Sequence, residues 1–269
     1  MTKVILVGCG NMGYAMLAGW IDSGSLTPGD VAVVEPTEAL RSRAAELNVA
    51  AFASCDALPA DTAPSLIVFA VKPQVMDMVV PPYRKYAETG AAYLSVAAGT
   101  RISFFEEVLG SQVPVIRCMP NTPAAIGAGM MVTASNSHVG SETMEFVSGL
   151  LSASGEVAAI GDEALMDAVT AVSGSGPAYV FHFIECLTSA GVDAGLPADT
   201  AAQLAGQTVL GAAMLASKSP ETPSTLREQV TSPNGTTAAA LSVFMGEDRL
   251  KNLVSEAVEA ARQRSVELS

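Results

Sequence analysis

The chain has 269 residues, 49% of them hydrophobic and 15% charged, and its 27 acids outweigh 14 lysines and arginines to give a formal charge of −13. That is a globular composition, long enough for one large domain or two, and it argues against disorder. So acidic a surface argues against nucleic acid or an anionic membrane as partner, and an anionic substrate has to be held by local groups against the overall field.

The first element in chain order is Val4-Ile-Leu-Val7, a continuous apolar run expected of a strand buried on both faces of a parallel sheet. Gly8-Cys-Gly-Asn-Met-Gly13 follows, then a helical pattern through Met16, Leu17, Trp20 and Ile21. GxGxxG between a strand and a helix is the dinucleotide fingerprint in its required context. Gly8 makes the tight turn, Gly10 lets a pyrophosphate approach the backbone, Asn11 and Met12 open the helix, and Gly13 lets helix and strand pack closely. A second strand, Val31 to Val34, ends at Glu35. As a ribose-binding carboxylate Glu35 favours NADH, because a 2′-phosphate beside it is repelled. Thr37, Arg41 and Arg43 just downstream are the groups that could hold such a phosphate instead.

Ala39 to Leu47 has a helical pattern, and Leu66 to Val71 is a further buried strand stopped by Lys72-Pro73. The stretch Ala70-Val-Lys-Pro73 therefore lies at the carboxyl end of a strand, where open α/β sheets bind ligands. Tyr93 to Ala97, Val113 to Cys118 and Gly129 to Ala134 continue the strands, with helical patterns around Phe104 and Met144. Met119-Pro-Asn-Thr-Pro123 holds Asn121 in a stiff polar loop at the same sheet edge, suited to positioning a nicotinamide amide or to serving as a plain connection. Strands alternating with helices predict a doubly wound α/β Rossmann sheet, expected to be parallel, over residues 1–161.

After Gly161 the patterns are helical almost throughout, so a second, all-helical domain is expected over residues 162–269. Ser173-Gly-Ser-Gly-Pro-Ala-Tyr179 reads as a loop leading to a helix start with free N–H groups. Thr200 to Ser217 carries no charge, and its small and apolar residues occur on every side of a helical wheel. A helix apolar all round is buried all round, and a domain this small has few places to bury one, so a second subunit is expected to cover it. Gln203 and Gln207 in its middle weigh against a membrane span. Near the end stands Val230-Thr-Ser-Pro-Asn-Gly-Thr-Thr237, uncharged and flanked by helical patterns. Ser232, Pro233, Asn234, Gly235, Thr236 and Thr237 can present hydroxyls and backbone N–H groups to one anion if Gly235 takes φ > 0 and a helix begins after it.

Absences bear on the chemistry too. Cys9, Cys55, Cys118 and Cys186 are far apart, so neither a disulfide framework nor a metal site is expected. The N-terminal apolar run is too short for a signal peptide, which makes the cytoplasm the expected location. Between Arg117 and Lys218 there is no lysine or arginine, and His138 and His182 are the only histidines.

The set GCGNMG, AVKPQ, MPNTP, AVSGSGPAYVF and VTSPNGTT resembles the pyrroline-5-carboxylate reductases along essentially the whole chain. The resemblance implies a Rossmann domain followed by a helical domain that interlocks with its partner in a homodimer, with further assembly into rings of dimers such as a decamer. It implies reduction of 1-pyrroline-5-carboxylate to L-proline, with NADPH first and NADH usable. It carries Ser232, Gly235, Thr236 and Thr237 over as substrate contacts and Ala70, Lys72, Pro73 and Asn121 as cofactor contacts. Asn234 departs from the glycine that members commonly have. Hydride transfer to an iminium needs no strong base, which fits a helical domain without a candidate for one. Thr237 is the expected catalytic residue, its hydroxyl on the imine nitrogen. Two other readings are a dehydrogenase of 3-hydroxy acids, which calls for a catalytic lysine where the chain has none, and a non-catalytic NADP-binding sensor.

Overall fold

The computed structural model describes residues 2–268. By internal contacts the chain divides into two compact units, Met1–Ser175 with Ala261–Ser269, and Gly176–Ala260.

The first unit is built on an eight-stranded sheet: β1 Val4–Val7, β2 Val31–Val34, β3 Ala50–Phe52, β4 Leu66–Phe69, β5 Ala92–Ser95, β6 Val115–Met119, β7 Gly129–Ser135 and β8 Gly155–Ala159. Their order across the sheet is β3-β2-β1-β4-β5-β6-β7-β8. Strand order reverses at β1, so the crevice at its carboxyl end, beside β4, is the topological switch point of a doubly wound fold. Its helices are α1 Asn11–Asp22, α2 Glu38–Glu46, α3 Met76–Val79, α4 Ile102–Leu109, α5 Ser141–Ser152 and α6 Met166–Val169.

Alternate strand residues enter two separate cores, as the two-residue period of a strand requires. Val4, Leu6, Val31 and Val33 pack with Met16, Leu17 and Trp20 of α1 and Val147, Leu150 and Leu151 of α5. Ile5, Val7, Ile67 and Phe69 pack with Tyr83, Tyr86 and Phe105 on the other face. Two buried polar atoms in these cores are satisfied, since Trp20 Nε1 donates to the Leu150 carbonyl at 3.0 Å and the Tyr93 hydroxyl to the Tyr83 carbonyl at 3.1 Å.

One pairing departs from the parallel sheet expected. β7 runs antiparallel to β6, with Cys118 opposite Thr133. The connection from Pro120 to Ala128 is shorter than the roughly dozen residues a parallel crossover needs, so the chain has to turn back. The segment Ser173–Tyr179 also differs from the loop expected. Thr170–Gly174 form a π-helical turn in which the Ser175 amide donates to the Thr170 carbonyl at 2.8 Å, and Gly176 already belongs to the next helix.

The second unit contains α7 Gly176–Asp193, α8 Ala198–Lys218, α9 Pro223–Gln229, α10 Thr236–Met245 and most of α11 Arg249–Glu267. In it only Ala201 and Ala205 are buried hydrophobic residues. Leu204, Leu210, Met214 and Leu215 of the uncharged α8 are about half exposed. An open hollow of ≈ 620 Å³ is lined by Phe183, Leu241, Phe244, Met245, Leu250 and Val254 among others. Among the described residues no helix is long and apolar enough to cross a membrane.

Candidate functional site

The glycine loop after β1 shows why each glycine is there. Gly8 adopts φ +96°, and a Cβ on it would lie 2.6 Å from the Ala70 carbonyl oxygen and 2.8 Å from Val71 Cγ1. Ala70 and Val71, at the end of β4, thus form the wall behind the loop, and the Ala70 amide donates to Val7 at 2.8 Å. A Cβ on Gly13 would collide with the Gly8 carbonyl, so that glycine sets the close approach of α1. Gly10 is different: a Cβ there meets nothing within 4 Å. The space in front of Gly10 is open, and the first intrahelical bond of α1 is from the Tyr14 amide to the Gly10 carbonyl. The amides of Asn11, Met12 and Gly13 therefore have no acceptor within the helix and make the positive end of its dipole. Open space before an uncapped helix start is a cradle that fits a dinucleotide pyrophosphate.

Glu35 follows β2 and is 6% exposed. Its Oε2 accepts from the Cys9 amide at 2.9 Å and its Oε1 from the Thr37 amide at 2.9 Å. The carboxylate therefore ties the glycine loop to the turn that starts α2. Arg41 Nη1 donates to the Glu35 carbonyl at 2.8 Å, and the Arg43 guanidinium lies 3.9 Å from the centre of the Tyr14 ring. Cys9, under the loop, is fully buried, and burial pushes its thiol up, so it stays neutral.

Lys72 and Pro73 begin a short 3₁₀ turn at the carboxyl edge of β4, with the Lys72 side chain exposed. Asn121, after β6, is held at both ends of its amide. Oδ1 accepts from the Met130 amide at 2.8 Å, and Nδ2 donates to the Ser173 carbonyl at 3.2 Å. Its side chain thus fastens the MPNTP turn to β7 and to the π turn. The sequence reading missed this partner, because a contact 52 residues away has no local signal. It also missed the pair in which Arg117, 5% exposed on β6, meets Glu163 at 2.6 Å. Glu163 Oε1 accepts at 2.9 Å from the Ile102 amide at the start of α4 as well.

In the second unit, Val230 ends α9 and the loop runs to α10. Gly235 does not take the positive φ expected of it. It sits at φ −81°, ψ 173° as the cap of α10, while Asn234 occupies the left-handed region at φ 59°. Asparagine is the residue after glycine that tolerates this conformation best, which accounts physically for the departure from family glycine at that position. A Cβ on Gly235 would crowd the Ser232 side chain and lie 3.2 Å from the Ser232 carbonyl oxygen, so glycine suits a close approach here rather than a positive φ. The Gly235 amide closes the turn on the Ser232 carbonyl at 3.1 Å, and Pro233 lies inside that turn. No side chain caps α10. The amides of Thr236, Thr237 and Ala238 precede the first intrahelical bond, from Ala239 to Gly235, so this N-terminus is open. Ser232 and Thr236 are exposed beside it, and Thr237 is half-buried in its first turn.

Two family models match the chain: one described as pyrroline-5-carboxylate reductase dimerisation over residues 163–268, and one as NADP oxidoreductase, coenzyme F420-dependent, over residues 3–99. A pyrroline-5-carboxylate reductase of Pseudomonas aeruginosa is 39% identical over 99% of this chain and 97% of its own length. The chain belongs to the pyrroline-5-carboxylate reductase family. Solved structures agree with this. The reductase of Coxiella burnetii superposes with a TM-score of 0.93 at 31% identity, covering 100% of this chain and 98% of that one. That of Plasmodium falciparum, with NADP bound, gives 0.85 at 30% identity over 99% and 98%. Membership of this reductase family sets aside the dehydrogenases of 3-hydroxy acids, and the cofactor class is NAD(P)H.

Proposed function

We propose that the chain reduces 1-pyrroline-5-carboxylate to L-proline, the last step of proline biosynthesis, with NAD(P)H. The observation that carries this is similarity to reductases of that name over the full length. The open front of Gly10 and the start of α1 take the pyrophosphate, Glu35 and Thr37 flank the ribose, and Ala70 to Pro73 with the backbone of Asn121 line the path of the nicotinamide half. Bound there, the dihydronicotinamide supplies the hydride.

The residues at the start of α10 act on the substrate. The amides of Thr236 and Thr237 hold its carboxylate at the positive end of the helix, so no arginine is needed against the chain's negative field. Ser232 and Thr236 add hydroxyl donors, while Val230, Pro233 and Asn234 shape the loop. The Thr237 hydroxyl accepts a hydrogen bond from the protonated imine nitrogen and stabilises the iminium that a hydride attacks. The N-terminal dinucleotide domain extends to Gly161, and residues 162–269 form a homodimer that assembles further into a decamer in the cytoplasm. Bare apolar chains on α8 and around the hollow at Phe244 support the dimer, since exposed patches of this kind mark interfaces.

The test is oxidation of NADPH or NADH, followed by absorbance, with 1-pyrroline-5-carboxylate added. Turnover that yields proline supports the reading. Tight cofactor binding with no oxidation would instead favour a non-catalytic sensor.

A further inference from the structure

We propose that Asn234-Gly235, in the loop before α10, is a self-modifying site, at which the asparagine amide is lost through a succinimide and a carboxylate is left beside the open amides of α10. The effect of that carboxylate on turnover rests on the substrate reading above; the modification itself does not.

The sequence context singles it out. Asparagine stands at positions 11, 48, 121, 136, 234 and 252, and at 234 alone is the next residue glycine. Asparagine is thermolabile because the backbone nitrogen that follows it can attack its side-chain amide carbon and close a five-membered ring. A side chain on the following residue crowds that nitrogen, and glycine has none.

Geometry separates Asn234 from the others as well. Asn121, Asn136 and Asn252 each commit Nδ2 to an acceptor, on Ser173, on Glu106 and Val113, and on Glu247 respectively. Asn234 is exposed at φ 59°, and among the described residues no hydrogen bond ties its side-chain amide. Asn48 is the matched control, exposed at φ 58°, but its successor Val49 is β-branched and 3% exposed. One bond opposes the reaction at Asn234. The Gly235 amide donates to the Ser232 carbonyl at 3.1 Å, and that turn has to open before its nitrogen can attack.

The step needs only water. Water or hydroxide takes the proton from the Gly235 nitrogen, a bond forms between that nitrogen and Asn234 Cγ, and the Cγ–Nδ2 bond breaks as the leaving group picks up a proton and departs as ammonia. A water then adds to either carbonyl of the imide and breaks its bond to nitrogen, giving aspartate or isoaspartate; nothing is oxidised or reduced. The new carboxylate belongs to the residue before the cap of α10, where the amides of Thr236, Thr237 and Ala238 have no partner within the helix. There it is drawn to the same positive helix end as the substrate carboxylate and repels it. Isoaspartate also lengthens the backbone by a methylene within the turn closed by Gly235.

Peptide mass mapping and KM, compared between fresh protein and protein aged in warm, mildly alkaline buffer, test the proposal. The peptide carrying residue 234 is expected to gain the mass difference between NH2 and OH, and the peptide carrying Asn48 to stay unchanged. As conversion completes, KM for 1-pyrroline-5-carboxylate should rise about 10-fold while the dissociation constant for NADPH stays constant. Asn234→Asp should show the raised KM from the start. Asn234→Gly, which suits the left-handed turn, should show neither the mass gain nor any drift of its own KM with age. Residue 234 unconverted, or converted no faster than Asn48, would overturn the site, and full conversion with the KM of fresh protein would overturn its effect on the anion loop. Fresh protein that binds NADPH without turnover would defeat the reductase reading instead, and the mass map would still decide the modification.

Discussion

The two compact units bury their apolar residues to very different extents. In the first, β1, β2, β4, β5 and β6 are buried along their whole length, and helices on both faces close the sheet. In Gly176–Ala260, by contrast, two alanines are the only buried hydrophobic residues, while Phe181, Phe244, Leu253 and Leu210 stand 58%, 44%, 64% and 53% exposed. The first unit has the core of a domain that holds itself together. Helices of the second are apolar on faces that one chain does not cover, so their stability is tied to protomer concentration once a second copy supplies the missing side. The glycine loop thus stands on a closed scaffold, and the loop before α10 on a unit that leaves much of its apolar surface bare.

Three substitutions break or sharpen that contrast. The largest effect is expected from Phe69→Ala. Phe69 is fully buried on β4, with ring centres 5.4 Å from Tyr83 and 5.8 Å from Phe105. Truncating it is expected to cost about 3–5 kcal/mol, measured by denaturant unfolding, and the loss should not vary with protein concentration. A concentration-dependent loss would mean that the sheet also leans on the partner.

Ala212→Glu comes next. Ala212 is exposed on α8 in the single chain, where a charge is nearly neutral, but in a covered interface it is buried without a partner. About 3 kcal/mol of lost association, a dimer constant weakened on the order of 100-fold, is the expected result in sedimentation or light scattering. An unchanged assembly would show that this face of α8 is not part of the contact.

Thr237→Val is the smallest of the three in energy and the most local. A hydrogen bond to a charged group is worth about 1.5–3 kcal/mol, so kcat/KM should fall roughly 10- to 100-fold while cofactor affinity stays the same. Thr237→Ser, which keeps the hydroxyl, should recover most of it. A valine variant that melts lower yet turns over normally would reduce the residue to a packing role, and Gly235 rather than Thr237 already occupies the cap position of α10.

The period of the apolar residues made most of the first unit legible. Val4–Val7, Val31–Val34 and the glycines between them could be placed from sequence because a buried parallel strand and a phosphate turn each impose a local pattern. β3 and β8 were missed, since Ala50–Phe52 and Gly155–Ala159 are short, partly exposed and poor in β-branched residues. The direction of β7 was legible in principle from the brevity of the connection before it. Loop chemistry was harder. VTSPNGTT announces a tight turn before a helix, but not that Asn234 and not Gly235 takes the left-handed conformation. Glycine in a turn serves either φ or close approach, and composition does not separate the two. The internal partners of Asn121 and Arg117 come from distant segments and leave no trace in either sequence window.

Residues Ala261–Ser269 group with the first unit rather than the second, and Ser265 donates to Asp167 at 2.6 Å. Gly176–Ala260 is thus flanked on both sides by segments that group with the first unit. During synthesis the chain emerges from its N-terminus, so β8 is complete while the whole of Gly176–Ala260 is still to come. The contact at Asp167 has to wait for Ser265, which is made after that whole unit. The unit that starts folding first thus closes this contact only after its neighbour has been made.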